Sequence, residues 1–296
     1  MFQKEIAYAR PTIMSEILSF PLSDGYITSV VRYGEGDANK PRLVFLHGIQ
    51  SHSGWYGTSC EQLAEQGYEV HFLERRGCGL NQAARGDCPS FRRLLDDVAE
   101  YLRSLPQEKK TILGAISWGG KLGAALNYRH PNLIAGLVLI APGLIPKVAV
   151  PFAQKIRIAL AKFIRPRKQF PIPLNDPALF TTTTHWLDFL AKDPLALHTA
   201  TARMLANSSL LDIYLRRAVK RNTFPTLLLL ASEDRIIDNA QTRLFVEKFP
   251  GPKQIIEYPN AHHTLEFEPN GPIFVADLLC WLEQFTPTTG TSLLQK

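Results

Sequence analysis

Residues Gly114-Ala115-Ile116-Ser117-Trp118-Gly119-Gly120 set one serine among small neighbours, just after the strand-like run Thr111-Ile112-Leu113 and just before a helical segment. A serine held at a sharp strand-to-helix turn presents its hydroxyl as a nucleophile, and the turn closes only if residues two before and two after it are small. Ala115 and Gly119 meet that need, Ala115 adding one methyl group to the more usual glycine. The hydroxyl is a weak nucleophile at neutral pH, so it needs a base, and the base needs an orienting carboxylate. In chains built around such a turn the order is serine, acid, histidine. Of eight histidines, His47, His52 and His71 precede the serine, His130 ends a helix, and His185 and His198 lie in a strand-poor stretch, leaving His262 and His263. The stretch Ala231-Ser232-Glu233-Asp234-Arg235-Ile236-Ile237-Asp238 offers three carboxylates; Asp238 suits the N-cap of the next helix, and Glu233 and Asp234 both remain.

Acyl transfer through such a serine also needs backbone donors for the developing oxyanion. One is the amide after the nucleophile, at Trp118. The other is expected in the loop after Leu43-Val44-Phe45-Leu46, which reads His47-Gly48-Ile49-Gln50-Ser51-His52-Ser53-Gly54-Trp55, with the Ile49 amide aimed into the site. Gly48 permits the turn, and His47 reads as a loop-fixing hydrogen-bonding residue rather than a catalyst.

The elements that must position these groups follow from periodicity. Short apolar runs at Tyr26–Val31, Leu43–Leu46, Val70–Leu73, Thr111–Leu113, Leu137–Ile140, Thr226–Leu230 and Ile255–Ile256 have strand length. Helical segments at Trp55–Gln66, Ser90–Leu105, Trp118–Arg129, Asp238–Phe249 and Ile273–Phe285 end at Gly, Pro or polar stops. Continuous apolar strands alternating with helices predict an α/β fold with a mainly parallel sheet covered on both faces. The segments around Leu18 and Tyr26–Tyr33, joined through Ser23-Asp24-Gly25, predict an antiparallel hairpin at its edge.

That rhythm breaks over residues 144–222, where helical periodicity and prolines occur without a convincing strand. The insertion holds thirteen Lys and Arg against four Asp, a surplus of nine in a chain whose net charge is +6, so the remainder is −3. Pro151–Ile164 reads as a helix with an apolar stripe of Phe152, Ile156, Leu160 and Phe163, and with Lys155, Arg157 and Lys162 outside it. The stripe is expected to face either the catalytic pocket or a lipid surface. The division is therefore a core of residues 15–143 and 223–285, a helical cap of 144–222, and a frayed tail of 286–296.

Composition narrows the alternatives. A chain of 296 residues, 45% hydrophobic and 20% charged, is neither disordered nor collagenous. No apolar run approaches the roughly 20 residues that span a bilayer, and the first fourteen residues carry no secretory pattern. A cytoplasmic protein, at most peripheral to a membrane, is expected. Cys60, Cys78, Cys88 and Cys280 are scattered, form no zinc spacing and read as reduced thiols. No metal or cofactor is expected. The basic surplus sits in one insertion with no recognised motif, so nucleic acid is not an expected partner.

His47-Gly48, the Ser117 turn, Asp234 and His263 together resemble the α/β-hydrolase superfamily, in particular its monoacylglycerol lipase and lysophospholipase-like branch, which includes serine aminopeptidase-like members. Glu74-Arg75-Arg76-Gly77-Cys78-Gly79 is similar to that family's D-x-R-G-x-G segment, with Glu for Asp. The resemblance runs from about Ser15 to Phe285 and implies an eight-stranded sheet with a cap after the sixth strand. It places the acid on Asp234 and the base on His263, although Asn260 replaces a usual glycine and His262 adjoins the base. It implies hydrolysis of carboxylic esters with an apolar acyl chain, such as a monoacylglycerol or lysophospholipid, through an acyl-enzyme. Serine at the turn argues against relatives that use aspartate there for alkyl-enzyme chemistry. Thioester or carbon–carbon bond hydrolysis by the same triad, and a non-catalytic binding protein on this fold, are the other readings.

Overall fold

A computed structural model describes residues 15–148 and 150–286. The expectations for the first fourteen residues, and for the tail beyond Thr286, lie outside the described residues. Among the described residues, ten strands and eight α-helices follow in order. β1 (Ser15–Pro21) and β2 (Ile27–Tyr33) form the hairpin, and β3 (Arg42–Leu46), α1 (Gly57–Glu65), β4 (Val70–Leu73), α2 (Phe91–Ser104), β5 (Thr111–Ile116), α3 (Gly119–Arg129) and β6 (Gly136–Ile140) alternate. After α4 (Phe152–Ile164), β7 (Gln169–Pro171), α5 (Thr184–Lys192), β8 (Thr199–Thr201) and α6 (Ala202–Ala218), the alternation resumes with β9 (Thr226–Ala231), α7 (Asn239–Val246), β10 (Lys253–Tyr258) and α8 (Val275–Leu282).

The main sheet has eight strands in the order β1-β2-β4-β3-β5-β6-β9-β10. β2 runs antiparallel to both β1 and β4, and every other neighbouring pair is parallel. The middle strands β3, β4, β5, β6 and β9 are buried along their whole length, which is why they read as unbroken apolar runs rather than alternating ones. Helix boundaries follow local chemistry. Ser90 Oγ accepts the Arg93 amide at the start of α2, Asp238 Oδ1 accepts the Gln241 amide at the start of α7, and Pro106 lies just past the end of α2.

Between β6 and β9 the chain leaves the sheet. The expectation that this stretch holds no strand is corrected: β7 and β8 pair as an antiparallel ribbon, Phe170 opposite Ala200. Each strand has three residues and β7 ends in proline, so neither shows an alternating pattern, and the pairing exists only because distant segments meet. α6 lies against α3 and joins the sheet's helices through polar contacts. The Phe91 amide donates to Asn207 Oδ1 at 2.9 Å, Lys121 Nζ to Asp212 Oδ1 at 2.5 Å, and Thr201 Oγ1 to Asp87 Oδ1 at 2.8 Å.

A further buried anchor is Asp193, just after α5. Its Oδ2 accepts Trp55 Nε1–H at 2.6 Å and His52 Nε2–H at 2.9 Å, and its Oδ1 accepts the Leu195 amide at 2.9 Å. His52 Nδ1 accepts the Gly54 amide, which puts that imidazole's proton on Nε2. Burial alone would raise the Asp193 carboxyl, but the hydrogen bonds from His52 and Trp55 outweigh it and hold the group below its ordinary value. Asp193→Ala leaves both donors without an acceptor in a buried site. The variant is expected to lose about 3 kcal/mol of stability, read as a lower urea midpoint, with proteolytic cleavage appearing first within residues 144–222.

Candidate active site

Ser117 stands at the end of β5 with φ 50°, one of the few non-glycine residues in the left-handed region. A conformation that costs on the order of 1–3 kcal/mol persists only where the surroundings over-determine it. Here the Ser117 amide donates to Ile140 O at 3.0 Å, while its carbonyl accepts the amides of Gly143 at 2.6 Å and Gly120 at 2.9 Å. Helix α3 starts immediately and passes very close to β3. A Cβ on Gly119 would lie 2.7 Å from the His47 carbonyl oxygen and 2.8 Å from that of Leu46, so no side chain fits there without moving backbone.

His263, on the loop after β10, brings Nε2 to 2.9 Å from Ser117 Oγ, and its Nδ1 lies 2.7 Å from Asp234 Oδ2. All three residues are buried. The other Asp234 oxygen accepts the amides of Ile236 and Ile237 at 2.7 and 2.9 Å, so the carboxylate cannot swing away from the ring. The edge of Phe180, from the segment before α5, packs on the His263 ring at 5.8 Å between centroids. The neighbours point elsewhere. Glu233 is exposed, and His262 turns Nδ1 towards Glu268, 3.4 Å away, with its amide donating to the same oxygen at 2.7 Å.

Gly48 and Ile49 lie across from the serine. A Cβ on Gly48 would sit 3.2 Å from Ser117 Cβ, so the loop approaches the nucleophile as closely as a backbone can. Three contacts hold the loop. Ser51 Oγ accepts the Gly48 amide at 2.9 Å; the Gly48 carbonyl lies 2.8 Å from His47 Nδ1; and His47 Nε2 accepts the Arg75 amide at 2.9 Å, which places the His47 proton on Nδ1. Burial, with the nearby Arg75 charge, holds that imidazole well below its usual pKa, so it stays neutral. Arg75 was not singled out in the sequence, yet its guanidinium donates to Ile49 O at 2.9 Å and lies 4.8 Å over the Trp118 ring. It braces both residues whose amides are expected to face an oxyanion. Its place in the Glu74-Arg75-Arg76-Gly77 segment was the available signal.

A cavity of about 490 Å³ opens beside Ser117. Its walls come from the sheet side at Ile49, Trp118, Gly143 and Ile236, and from residues 144–222 at Ile158, Leu174, Leu205 and Ile213. The stripe expected on α4 divides. Phe152, Ile156, Leu160 and Phe163 all face solvent, and of the four only Phe163, itself 82% exposed, also borders the cavity. Lys155 and Lys162, expected outside the stripe, line the cavity. α4 meets α6 through Ile158 and Ala161, and this contact leaves the helix's most apolar stripe uncovered. Among the described residues no cluster of His, Cys, Asp or Glu is disposed to hold a metal ion, and no helix is long and apolar enough to cross a membrane.

The profile of the serine aminopeptidase S33 family matches residues 37–270. This chain belongs to that family. It is a serine hydrolase on the α/β-hydrolase fold. The chain is 26% identical to human monoglyceride lipase over 273 residues, covering 88% of each sequence, and 25% identical to the rat protein over 246 residues, covering 80% of each. A soluble variant of monoglyceride lipase from Saccharomyces cerevisiae, solved with a substrate analogue, superposes with TM-score 0.81 at 19% identity, over 95% of this chain and all of that one. The monoacylglycerol lipase of Paleococcus ferrophilus gives 0.78 at 23% identity, over 88% and 99%.

The loop after His263 carries a buried carboxyl that sequence reading passed over. Glu266 Oε1 accepts the Ser59 amide at 2.9 Å at the start of α1. Burial is the main cause that pushes this carboxyl up to about 7, against the hydrogen bonds from Ser59 and Thr58. A folded-state pKa above the unfolded value near 4.5 means that the native protein holds a proton which the unfolded chain has released. The stability from this group is therefore complete below about pH 4.5 and lost as pH rises to about 7. Denaturant unfolding at pH 5 and pH 8 should show Glu266→Gln gaining up to ~3 kcal/mol relative to the parent at the higher pH. Parallel pH profiles would contradict the assignment.

Proposed function

We propose that this ester hydrolase of the lipase type cleaves carboxylic esters with an apolar acyl chain, of the monoacylglycerol or lysophospholipid kind, through an acyl-serine intermediate. The observation that carries the reading is the continuous hydrogen-bonded chain from Ser117 Oγ through His263 to Asp234, opening onto a cavity walled mainly by aliphatic side chains. Ser117 Oγ attacks the ester carbonyl as its proton passes to His263 Nε2, and Asp234 stabilises the resulting imidazolium. The Ile49 and Trp118 amides receive the oxyanion. Collapse expels the alcohol with the proton from His263. Water then attacks the acyl-serine, His263 takes its proton and returns one to Ser117 Oγ, and a carboxylic acid leaves. Residues 144–222 act as the cap that shields these steps from bulk water.

Ser117→Ala is expected to abolish both ester turnover and labelling by a fluorophosphonate. Asp234→Asn should slow turnover about 10⁴-fold by favouring the wrong tautomer, while Glu233→Gln changes it little. A panel of matched esters and thioesters across chain lengths, with a carbon–carbon hydrolase substrate, reads the bond. Faster cleavage of thioesters or of the carbon–carbon substrate would replace the ester assignment.

The cap also supports contact with an anionic membrane. Phe152 is 78% exposed, Leu160 58% and Ile164 76%, in one band on α4, with Arg157, Arg165, Arg167 and Lys168 exposed nearby. Apolar burial in the interface and attraction of about 1 kcal/mol per basic side chain act together there. Vesicle sedimentation at low salt should favour anionic over neutral lipid, and Phe152→Ser with Leu160→Ser should reduce it. Equal binding to both lipids would remove the electrostatic half of the reading.

A further inference from the structure

The face of α4 turned to the cavity consists of Lys155, Ile158, Ala159, Lys162 and Phe163. These positions recur at three- and four-residue spacing and so form one stripe along the helix. The other cavity cation, Lys121, is paired, because Nζ donates to Asp212 Oδ1 at 2.5 Å. Lys155 and Lys162 meet no carboxylate among the described residues. Lys162 is half-buried with its ammonium 5.5 Å from the Phe163 ring, and Lys155 is exposed at the rim. They lie seven residues apart, about 10 Å along the helix. The remaining walls are mainly apolar, with Ser117, Ser208, Ser209 and the Lys121–Asp212 pair among them, and low-dielectric walls strengthen the field of an unpaired cation compared with the same charge in open water.

A neutral lipid ester offers these two ammonium groups hydroxyl and carbonyl acceptors but no counter-charge. Both line the cavity that opens beside Ser117, whereas Phe152, Leu160 and Ile164 do not. We propose that Lys155 and Lys162 form a subsite for an anionic group carried by the substrate itself, a phosphate or carboxylate on the part that extends from Ser117 towards the cavity mouth. The preferred substrate is then an anionic amphiphilic ester. This rests on the reading of Ser117 as the acyl-transfer nucleophile.

The test compares two esters with the same short acyl chain, 1-octanoylglycerol and 1-octanoylglycerol 3-phosphate, as monomers without vesicles. The quantity read is the ratio of their kcat/KM values. The parent should favour the phosphate, and Lys155→Gln with Lys162→Gln should lower the ratio at least tenfold, mainly through KM, while Lys155→Arg with Lys162→Arg retains most of it. A ratio unchanged within twofold would overturn the subsite. So would a loss seen only when anionic vesicles are added, which would assign the lysines to the membrane surface. Calorimetric titration with octyl phosphate reads the subsite without turnover, and the glutamine pair should weaken binding by a similar factor. If neither ester is cleaved while octyl phosphate still binds through the lysines, the proposed hydrolysis fails and the subsite stands. If octyl phosphate binds parent and variant alike, the subsite fails whatever the ester results.

Discussion

The left-handed turn at Ser117 is the constraint on which the rest of the site depends. Holding a side-chain-bearing residue at φ 50° requires β5, α3 and the segment after β6 to converge on one peptide. That convergence brings α3 so close to β3 that Gly119 faces the carbonyls of Leu46 and His47. The strand order places β3 beside β5, and the loop leaving β3 therefore reaches the nucleophile. The parallel strands β6 and β9, together with β10, put the acid and histidine loops at the same end of the sheet. One strained residue is thus supported by five strands.

A serine so supported can face a reacting carbonyl only if the loop opposite it is fixed, and the polar groups around that loop are bound from several directions. His47 and Ser51 hold Gly48, Arg75 holds Ile49 and covers Trp118, and Asp193 of the insertion holds His52 and Trp55. Glu74 adds another contact, accepting the amide and hydroxyl of Ser53 at 2.9 and 2.6 Å. Burial raises the Glu74 carboxyl, favouring its neutral form behind the loop. Buried polar groups must be satisfied, and here their partners come from both the sheet side and the insertion. The conformation of the expected oxyanion loop is consequently coupled to the seating of residues 144–222.

Helix α4 shows how one amphipathic segment can face three environments. Ile158 and Ala161 pack against Phe170 and Ala202, Lys155 and Lys162 border the cavity, and Phe152, Ile156, Leu160 and Ile164 meet solvent. A sequence pattern predicts an apolar stripe but not its direction, because an apolar side chain favours burial against protein and against lipid for the same reason. The contact with α6 settles the rotation of the helix, and that rotation sets the lysines along the cavity mouth.

The sheet's alternation, the edge hairpin, the helix stops and the serine turn were legible in the sequence because each has a local cause. Fully buried strands must be apolar throughout, caps need particular side chains, and the turn at Ser117 needs small neighbours at 115 and 119. The order of serine, acid and histidine narrowed the remaining site to adjacent pairs, Glu233 or Asp234 and His262 or His263. Adjacent residues on a loop point in different directions, and only the fold aimed Asp234 and His263 at each other and at a serine 146 positions away. The ribbon of β7 and β8, the grip of Asp193 on residues 138 and 141 positions distant, and the place of Lys155 and Lys162 along the cavity mouth had no local signature. Local sterics and periodicity determined the elements and the serine turn; contacts between segments far apart in the chain decided which side chains meet it, because directional contacts depend on the relative placement of whole elements.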